Sequence, residues 1–478
     1  MEIKKLMPKA GLLLFEAKWF LDLGIGEEGG SVGDLGSLLQ KEIGKIEDSL
    51  QGKVDLVNPG IIFDITSARK ALDLFLKEKI DLVIVCFLTW AEDKAWIEVL
   101  KNIGEIPILY WEYMTGFYTT RQYSPLELYH NCGIVGALQG SGSLKRFRKK
   151  FKLVIGEAGD EKIVSGIASF ARAAMVKNKL KESTMGLLPF RNDQMKSTCM
   201  DEYLMLRKTG MLLQNLTLAE LKEESLKLEG AQVKEFMQWN INSFKLDVNI
   251  KKRDFLQACR VSLAMAGMYM RYDLNALALN DVCDELHHNV GLRPCLYPEV
   301  YNDIGAIIGF EGDIACTLAM YMMYLFTRKP IGFTEILNFN PEEGTINAGH
   351  PGPNNPLIAE SYKDVTVVPD VEYMDSDFEY AYSATLEMIG APGRVTMVNL
   401  LDTGDDIQMI VTGGLSLGGH KRLTAFPHFC IKTDVPVIEF LEKVLKSGST
   451  QHFAVVHEDI LEELLDLASI LDLEVVQI

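Results

Sequence analysis

The strongest constraint on the fold is an alternation that runs through the first third of the chain. Apolar runs rich in β-branched residues ("GLLLF", "VDLVN", "IDLVIVCFL", "IPILYWEY") are separated by amphipathic stretches such as "SARKALDLFLKEK" and "AWIEVLKNIGE". A run that is apolar at successive positions must be covered on both faces, and a helix-length stretch between two such runs supplies the cover. The pattern therefore predicts βαβ units around a parallel sheet. A second series begins at "TMGLLPF", passes through "AELKEESLKLEGAQVKEFMQWN" and "ALALNDV", and ends in "FEGDIACTLAMYMMYLFTRKP". Lysine-rich "VKNKLKES", residues 176 to 183, reads as the join between the two series. From about residue 332 the texture changes to short strands and Gly/Pro turns, as in "APGRVTMVNLLDTGDDIQMIVTGG", closed by one helix. A chain of 478 residues is too long for one ordinary core. We expect an α/β protein with parallel sheets in an N-terminal domain (1–181) and a second domain (182–331), followed by a β-rich C-terminal domain (332–478).

Charge and cysteine usage exclude several classes of partner. Against 48 basic residues stand 66 acidic ones, a net of −18. No basic surplus is available to neutralise phosphates, so neither a nucleic acid nor an anionic membrane is an expected partner. The eight cysteines are scattered without a CxxC pair, which fits reduced thiols in a cytoplasmic protein. In "MEIKKLMPKAGLLLFEAKWF", Glu16 and Lys18 interrupt the apolar run of a signal peptide. The uncharged stretch Ile314 to Thr327 is too short to span a bilayer. "GIGEEG", residues 24 to 29, matches a dinucleotide fingerprint, yet it does not sit directly between a strand and its helix and reads as a surface loop.

Four positions could carry chemistry. Glu311 in "IGFEGDIACTL" precedes an apolar helix, where an acid gains from free amide groups; Asp313 is the better cap, which leaves Glu311 without a local task. Glu335 follows in "PIGFTEILNF". A helix over 313–327 advances the chain about 22 Å and eight extended residues return about 26 Å, so the two carboxylates can meet; an exposed strand-edge glutamate is the alternative. His350 ends "GTINAGH" before Pro351, with Ala348 and Gly349 leaving room for another group to approach the ring; a solvated loop histidine is the alternative. In "HFAVVH" the strand period sends His452 and His457 to opposite faces, and His452 is the freer of the two. Two glutamates and two neutral imidazoles suit Mn²⁺, or Co²⁺ or Mg²⁺, with positions left open for water or substrate.

The segments "GFEGDIACTL", "TEILNFNPEEGTINAGHPG" and "QHFAVVHEDILEELLDLASILDLEVV", with "RPCLYPEVYNDIGA" before them, resemble the L-fucose isomerase and L-arabinose isomerase family. The resemblance extends more loosely over the whole chain. It implies two Rossmann-like α/β domains and a β-rich third, assembly into homotrimers or homohexamers with the active site at a subunit boundary, and a metal held by Glu311, Glu335, His350 and His452. Glu311 and Glu335 would also be the catalytic pair, moving protons in an aldose–ketose isomerisation through a cis-enediol. Two departures stand out: "AGHPG" replaces a bulkier residue and Cys around the third motif's histidine, and Gln451-His452 replaces a pair of histidines. They put the sugar in question more than the metal.

Two other readings compete. An anionic, phospho- or sulfo-sugar would need a cationic site, and "GSGSLKRFRKK", residues 140 to 150, could offer one as a Gly/Ser loop with Lys145, Arg146 and Arg148; a solvated basic face is its plainer reading. A sugar-binding protein that has lost the reaction is the second, disfavoured by retention of all four candidate ligands.

Overall fold

The structure, a computed structural model, describes residues 7–25, 27–30 and 32–478. Gly26 of the "GIGEEG" segment and the first six residues of the amino-terminal stretch lie outside the described residues. The chain forms two compact units, one ending at Asn178 and the other running Lys179–Ile478.

The first unit is built on a parallel sheet. Its strands are β1 (Lys9–Phe15), β2 (Asp55–Val57), β3 (Ile61–Ile62), β4 (Leu82–Phe87), β5 (Ile108–Tyr113) and β6 (Phe151–Gly156). Their order is β2-β1-β4-β5-β6, with β3 beside the end of β1. Strands β4 and β5 are buried at every position, which is why they read as unbroken apolar runs. Helices on the sheet bury Phe15, Phe75, Trp96 and Tyr110 in one core. The "GSGSLKR" segment is not a loop: it belongs to the helix Gly133–Arg146. Gly133, Gly136 and Gly140 lie on one face of it, and a Cβ at Gly136 or Gly140 would fall 2.6 to 2.8 Å from the Phe87 ring. These glycines exist for close helix–sheet packing, and the basic residues after them are an exposed helix end. The lysine-rich 176–183 stretch is likewise mostly helix, the last turns of Glu161–Lys181.

The second unit opens with another parallel sheet, β7 (Thr184–Leu188), β8 (Leu212–Asn215), β10 (Ala276–Leu279) and β11 (Ile308–Gly309), in the order β11-β10-β7-β8. Between them, β9 (Lys245–Leu246) joins the third sheet instead. That sheet comprises β12 (Ile331–Asn340), β13 (Thr345–Gly349), β14 (Thr366–Pro369), β15 (Ala384–Ile389), β16 (Gly393–Asp402), β17 (Ile407–Ser416), β18 (Pro427–Thr433), β19 (His452–Val456) and β20 (Glu474–Gln477). Because β17 pairs with both β16 and β18, the path β17-β16-β19-β12-β13-β18 closes on itself as an antiparallel barrel. Two helices close this region, Val437–Ser447 and Leu461–Leu471, where the sequence suggests one.

The helix Ile314–Thr327 is buried from Ile314 to Phe326 on all sides. It packs on β10 and β11 of the parallel sheet and on β12, β16 and β19 of the barrel, which is why it carries no polar face. Among the described residues no helix is long and apolar enough to cross a membrane. All eight cysteines are free thiols.

Candidate metal centre

The four candidate residues meet where the second parallel sheet abuts the barrel. One ligand-type atom from each of Glu311, Glu335, His350 and His452 lies within 4.8 Å of all the others. Strand register explains three of them. Glu335 on β12 stands opposite His452 on β19 and opposite Gly349 on β13, with His350 the next residue along. Gly349 is required there: a Cβ would come within 2.5 Å of the Pro427 carbonyl oxygen. The approach that the small residues permit is thus by the backbone of β18, fixed by His350 N–H donating to Pro427 O at 3.1 Å.

Glu311 arrives from the other side, in the turn after β11. Its φ of 56° is left-handed, and Gly312 follows at 65°. A non-glycine residue pays about 1–2 kcal/mol for that conformation, and such strain gathers at functional sites. The turn is held by Glu311 N–H donating to the Asp281 carboxylate at 2.7 Å and by Gly312 N–H donating to Leu279 O. Asp281 is itself anchored near Arg293, a fully buried guanidinium that forks onto Asp370 at 2.9 and 2.7 Å and also meets Glu372 at 2.7 Å.

Both rings are oriented with Nε2 toward the carboxylates. His350 Nδ1 lies 2.6 Å from the Pro351 carbonyl and His452 Nδ1 lies 2.8 Å from Asp313, so each Nδ1 donates outward. Each Nε2 is then the inward atom, as a metal ligand requires. Asp313 performs two tasks, capping the buried helix through Cys316 N–H and orienting His452. Phe310 and Phe333 wall the histidines, with Phe333 centred 4.5 Å from His452 and 5.1 Å from His350.

The inward atoms fit a shared cation better than they fit one another. Glu311 Oε2 and His452 Nε2 face each other at 3.1 Å as a buried ion pair that lacks hydrogen-bond geometry. His350 Nε2 to Glu311 and His452 Nε2 to Glu335 are each 3.5 Å. Spacings of 3.1 to 3.5 Å between these oxygen and nitrogen atoms would let one divalent cation be shared among them. Burial works to raise the Glu311 pKa, but the two imidazoles overcome it and hold the group at about 2. Burial works to lower the His452 pKa, but Asp313, Glu311 and Glu335 overcome it and raise the ring well above its usual range. In the metal-free site a proton on His452 therefore does the electrostatic work of a cation. Glu335 is the most open member, its side chain 27% exposed.

Sequence reading named the four inward residues and missed their supports, Asp281 and Arg293, while taking Asp313 for a cap alone. Asp281 had a signal: it stands just past the apolar strand "ALAL", at the C-terminal end of a parallel strand where sites gather. His457 is held elsewhere by the Ala391 carbonyl at 2.7 Å, and His287 and His288 diverge, one buried and one exposed.

Against known proteins, no family model matches the chain. It is similar to the sulfoquinovose isomerases of Priestia aryabhattai and Priestia megaterium, each 18% identical over 417 residues that cover 87% of this chain and 89% of the relative. It is also similar to the sulfoquinovose isomerase of a Clostridium species, 22% identical over 356 residues, 71% of this chain and 75% of the relative. These similarities point to a sugar isomerase.

Proposed function

We propose that the protein is a divalent-metal-dependent aldose–ketose isomerase acting on an open-chain sugar through a cis-enediol. The observation that carries this reading is the convergence of two carboxylates and two Nε2 atoms, from segments far apart in sequence, within 4.8 Å of one another at a largely buried site. Glu311, Glu335, His350 and His452 would hold the ion, Mn²⁺ in first place with Co²⁺ or Mg²⁺ as substitutes. When bound, it would supply Lewis-acid polarisation of the sugar carbonyl, making the neighbouring C–H acidic.

The exposures of the two glutamates suggest how they divide the work. Glu311, kept anionic between two rings and rigid on a strained turn, assists transfer between the oxygens. Glu335, the open member, takes the proton from C2 while the C1 carbonyl oxygen gains one, and gives it back to C1 as the C2 hydroxyl loses its own. The phenylalanine walls and buried histidines exclude water from the closed side of the site.

The relatives' names favour a sulfonated aldose as the first substrate to try. The basic helix end at Lys145 and Arg146 is not a built anion loop, so the sulfonate would have to be read elsewhere. The decisive experiment is a screen of sulfoquinovose and neutral aldoses, L-fucose and L-arabinose included, with manganese present and ketose formation as the readout. Ketose formation that stops on chelation is expected. Stoichiometric metal binding with no ketose from any sugar would leave a binding protein in its place.

A further inference from the structure

The C-terminal edge of the second parallel sheet holds polar groups that the metal centre does not use. Strand register aligns Leu188 of β7 with Leu279 of β10, and Ala278 with Gly309 of β11, so the residues following these strands share one edge. Glu311 is one of them. Asn280, 2% exposed, is another; its N–H donates to Leu188 O, while its side-chain Oδ1 is buried without a partner. Asn192, 4% exposed, is the third, in the loop after β7. Its backbone nitrogen sits so close to Gly312 that a Cβ there would lie 3.1 Å away, which places Asn192 against the turn carrying Glu311.

The orientation of the Asn192 amide follows from its bonding. Its Oδ1 accepts the Gln194 N–H at 3.0 Å, so the remaining atom is the Nδ2 donor, and that donor is buried with no partner. A buried unpaired donor is costly, and one beside a candidate reaction centre is explained by a ligand oxygen that the protein alone does not supply. We propose that Asn192 is a substrate-binding residue whose amide donates a hydrogen bond to an oxygen of the sugar bound beside Glu311. This rests on the isomerase reading above. Its chemistry reads an oxygen, a hydroxyl or carbonyl, and gives the site a specificity element outside the metal ligands.

The test compares the full-length protein with Asn192→Ala and with Asn192→Asp, which keeps the size and Oδ1 bond but replaces the donor by an acceptor. Three quantities are measured: Mn²⁺ affinity by calorimetry, thermal stability without metal, and steady-state kinetics with whichever aldose of the screen the wild type converts, alongside its single-deoxy analogues. In Asn192→Ala, Mn²⁺ affinity within twofold of wild type and a metal-free stability lowered by no more than its single Oδ1 bond to the Gln194 amide are expected, and in both variants a rise in KM of about 10-fold or more. One deoxy analogue should suffer no further loss in Asn192→Ala, identifying the oxygen that is read. Unchanged KM for every sugar, or a loss traced wholly to weaker Mn²⁺ binding, would overturn the assignment while leaving the isomerase intact. A wild type that converts none of the sugars would remove the isomerase reading and this one with it.

Discussion

Each parallel sheet ends in a buried glutamate, and the two have opposite fates. Glu112, the penultimate residue of strand β5 in the first unit, is 8% exposed; Glu311, just past β11 in the second, is 7% exposed. Burial alone pushes Glu112 up to about 7, and its Oε2 has no partner. Glu311 is held at about 2, because two imidazoles face it. Glu112 borders a cavity of about 330 Å³ with Tyr113, His130 and Glu42, where Tyr113 donates to Glu42 at 2.5 Å. Similar placement on similar sheets thus yields one carboxyl poised near neutrality and one fixed anion. The difference lies in whether the facing element supplies positive charge, which desolvation makes strong in either direction.

The largest effect expected follows from removing charge at the second site. Glu335→Gln should lower kcat by about 10²–10⁴-fold, the range for loss of a positioned base, with thermal stability little changed. Glu311→Gln should make the second sheet's edge resemble the first, electrically neutral, and weaken Mn²⁺ binding by more than about 100-fold, beyond what outer-sphere partners contribute. Calorimetry and initial rates check both. Mn²⁺ bound by Glu311→Gln as tightly as by wild type would show that the four residues do not form a metal cage.

Asp313→Asn is the next in size. Asparagine caps helices as well as aspartate, so the buried helix keeps its first turn while His452 loses the anion behind it. Mn²⁺ affinity should fall by about 10–100-fold. The same ring sets a pH signature. In the metal-free protein Glu311 is lowered from 4.5 and His452 is raised from 6.5. The lowered acid stabilises above 4.5 and loses that contribution as pH falls toward 2. The raised base stabilises below 6.5 and loses it as pH climbs through its folded value. Both contributions are complete between 4.5 and 6.5. Metal binding at pH 7.5 must expel the His452 proton, so about one proton should be released per ion in buffers of differing ionisation heat.

Glu112→Gln sharpens the comparison from the other side. An acid raised from 4.5 to about 7 costs nothing below 4.5, where both states are protonated, and costs progressively more as pH rises toward 7, because only the unfolded chain ionises freely. The variant should therefore match wild type at pH 4 and be more stable by about 1–3 kcal/mol at pH 8, the lower end reflecting screening at the cavity wall. Denaturant titrations at the two pH values measure it, and equal stability at pH 8 would mean that Glu112 has a partner.

What could be read in advance was local. Unbroken apolar strands, the buried helix after Asp313 and the four inward residues are each legible within a short segment, since period and chemistry appear together there. What could not be read was pairing across distance. Nothing in "TEILNF" says that Glu335 will lie opposite His452, because register depends on barrel closure between β17 and β18. The support of Glu311 by Asp281 and Arg293 is equally non-local. In the "GSGSLKR" segment the solvated basic face was legible and the helix was not: a glycine such as Gly140, which suggests a loop by composition, also permits close packing in a helix, here on Phe87.

That segment yields the smallest effect expected, and it tests the comparison at its margin. If the basic helix end in the first unit were an anion site, replacing Lys145 and Arg146 together by Gln would alter the preference for sulfonated over neutral aldoses. Both side chains are exposed on the last turn of Gly133–Arg146, where they favour the helix dipole and enter solvent. Exposed charges in that setting contribute about 1 kcal/mol or less. The ratio of kcat/KM for sulfoquinovose to that for a neutral aldose should thus stay within twofold of wild type at physiological salt. A change of fivefold or more, vanishing at high salt, would move anion recognition into the first unit.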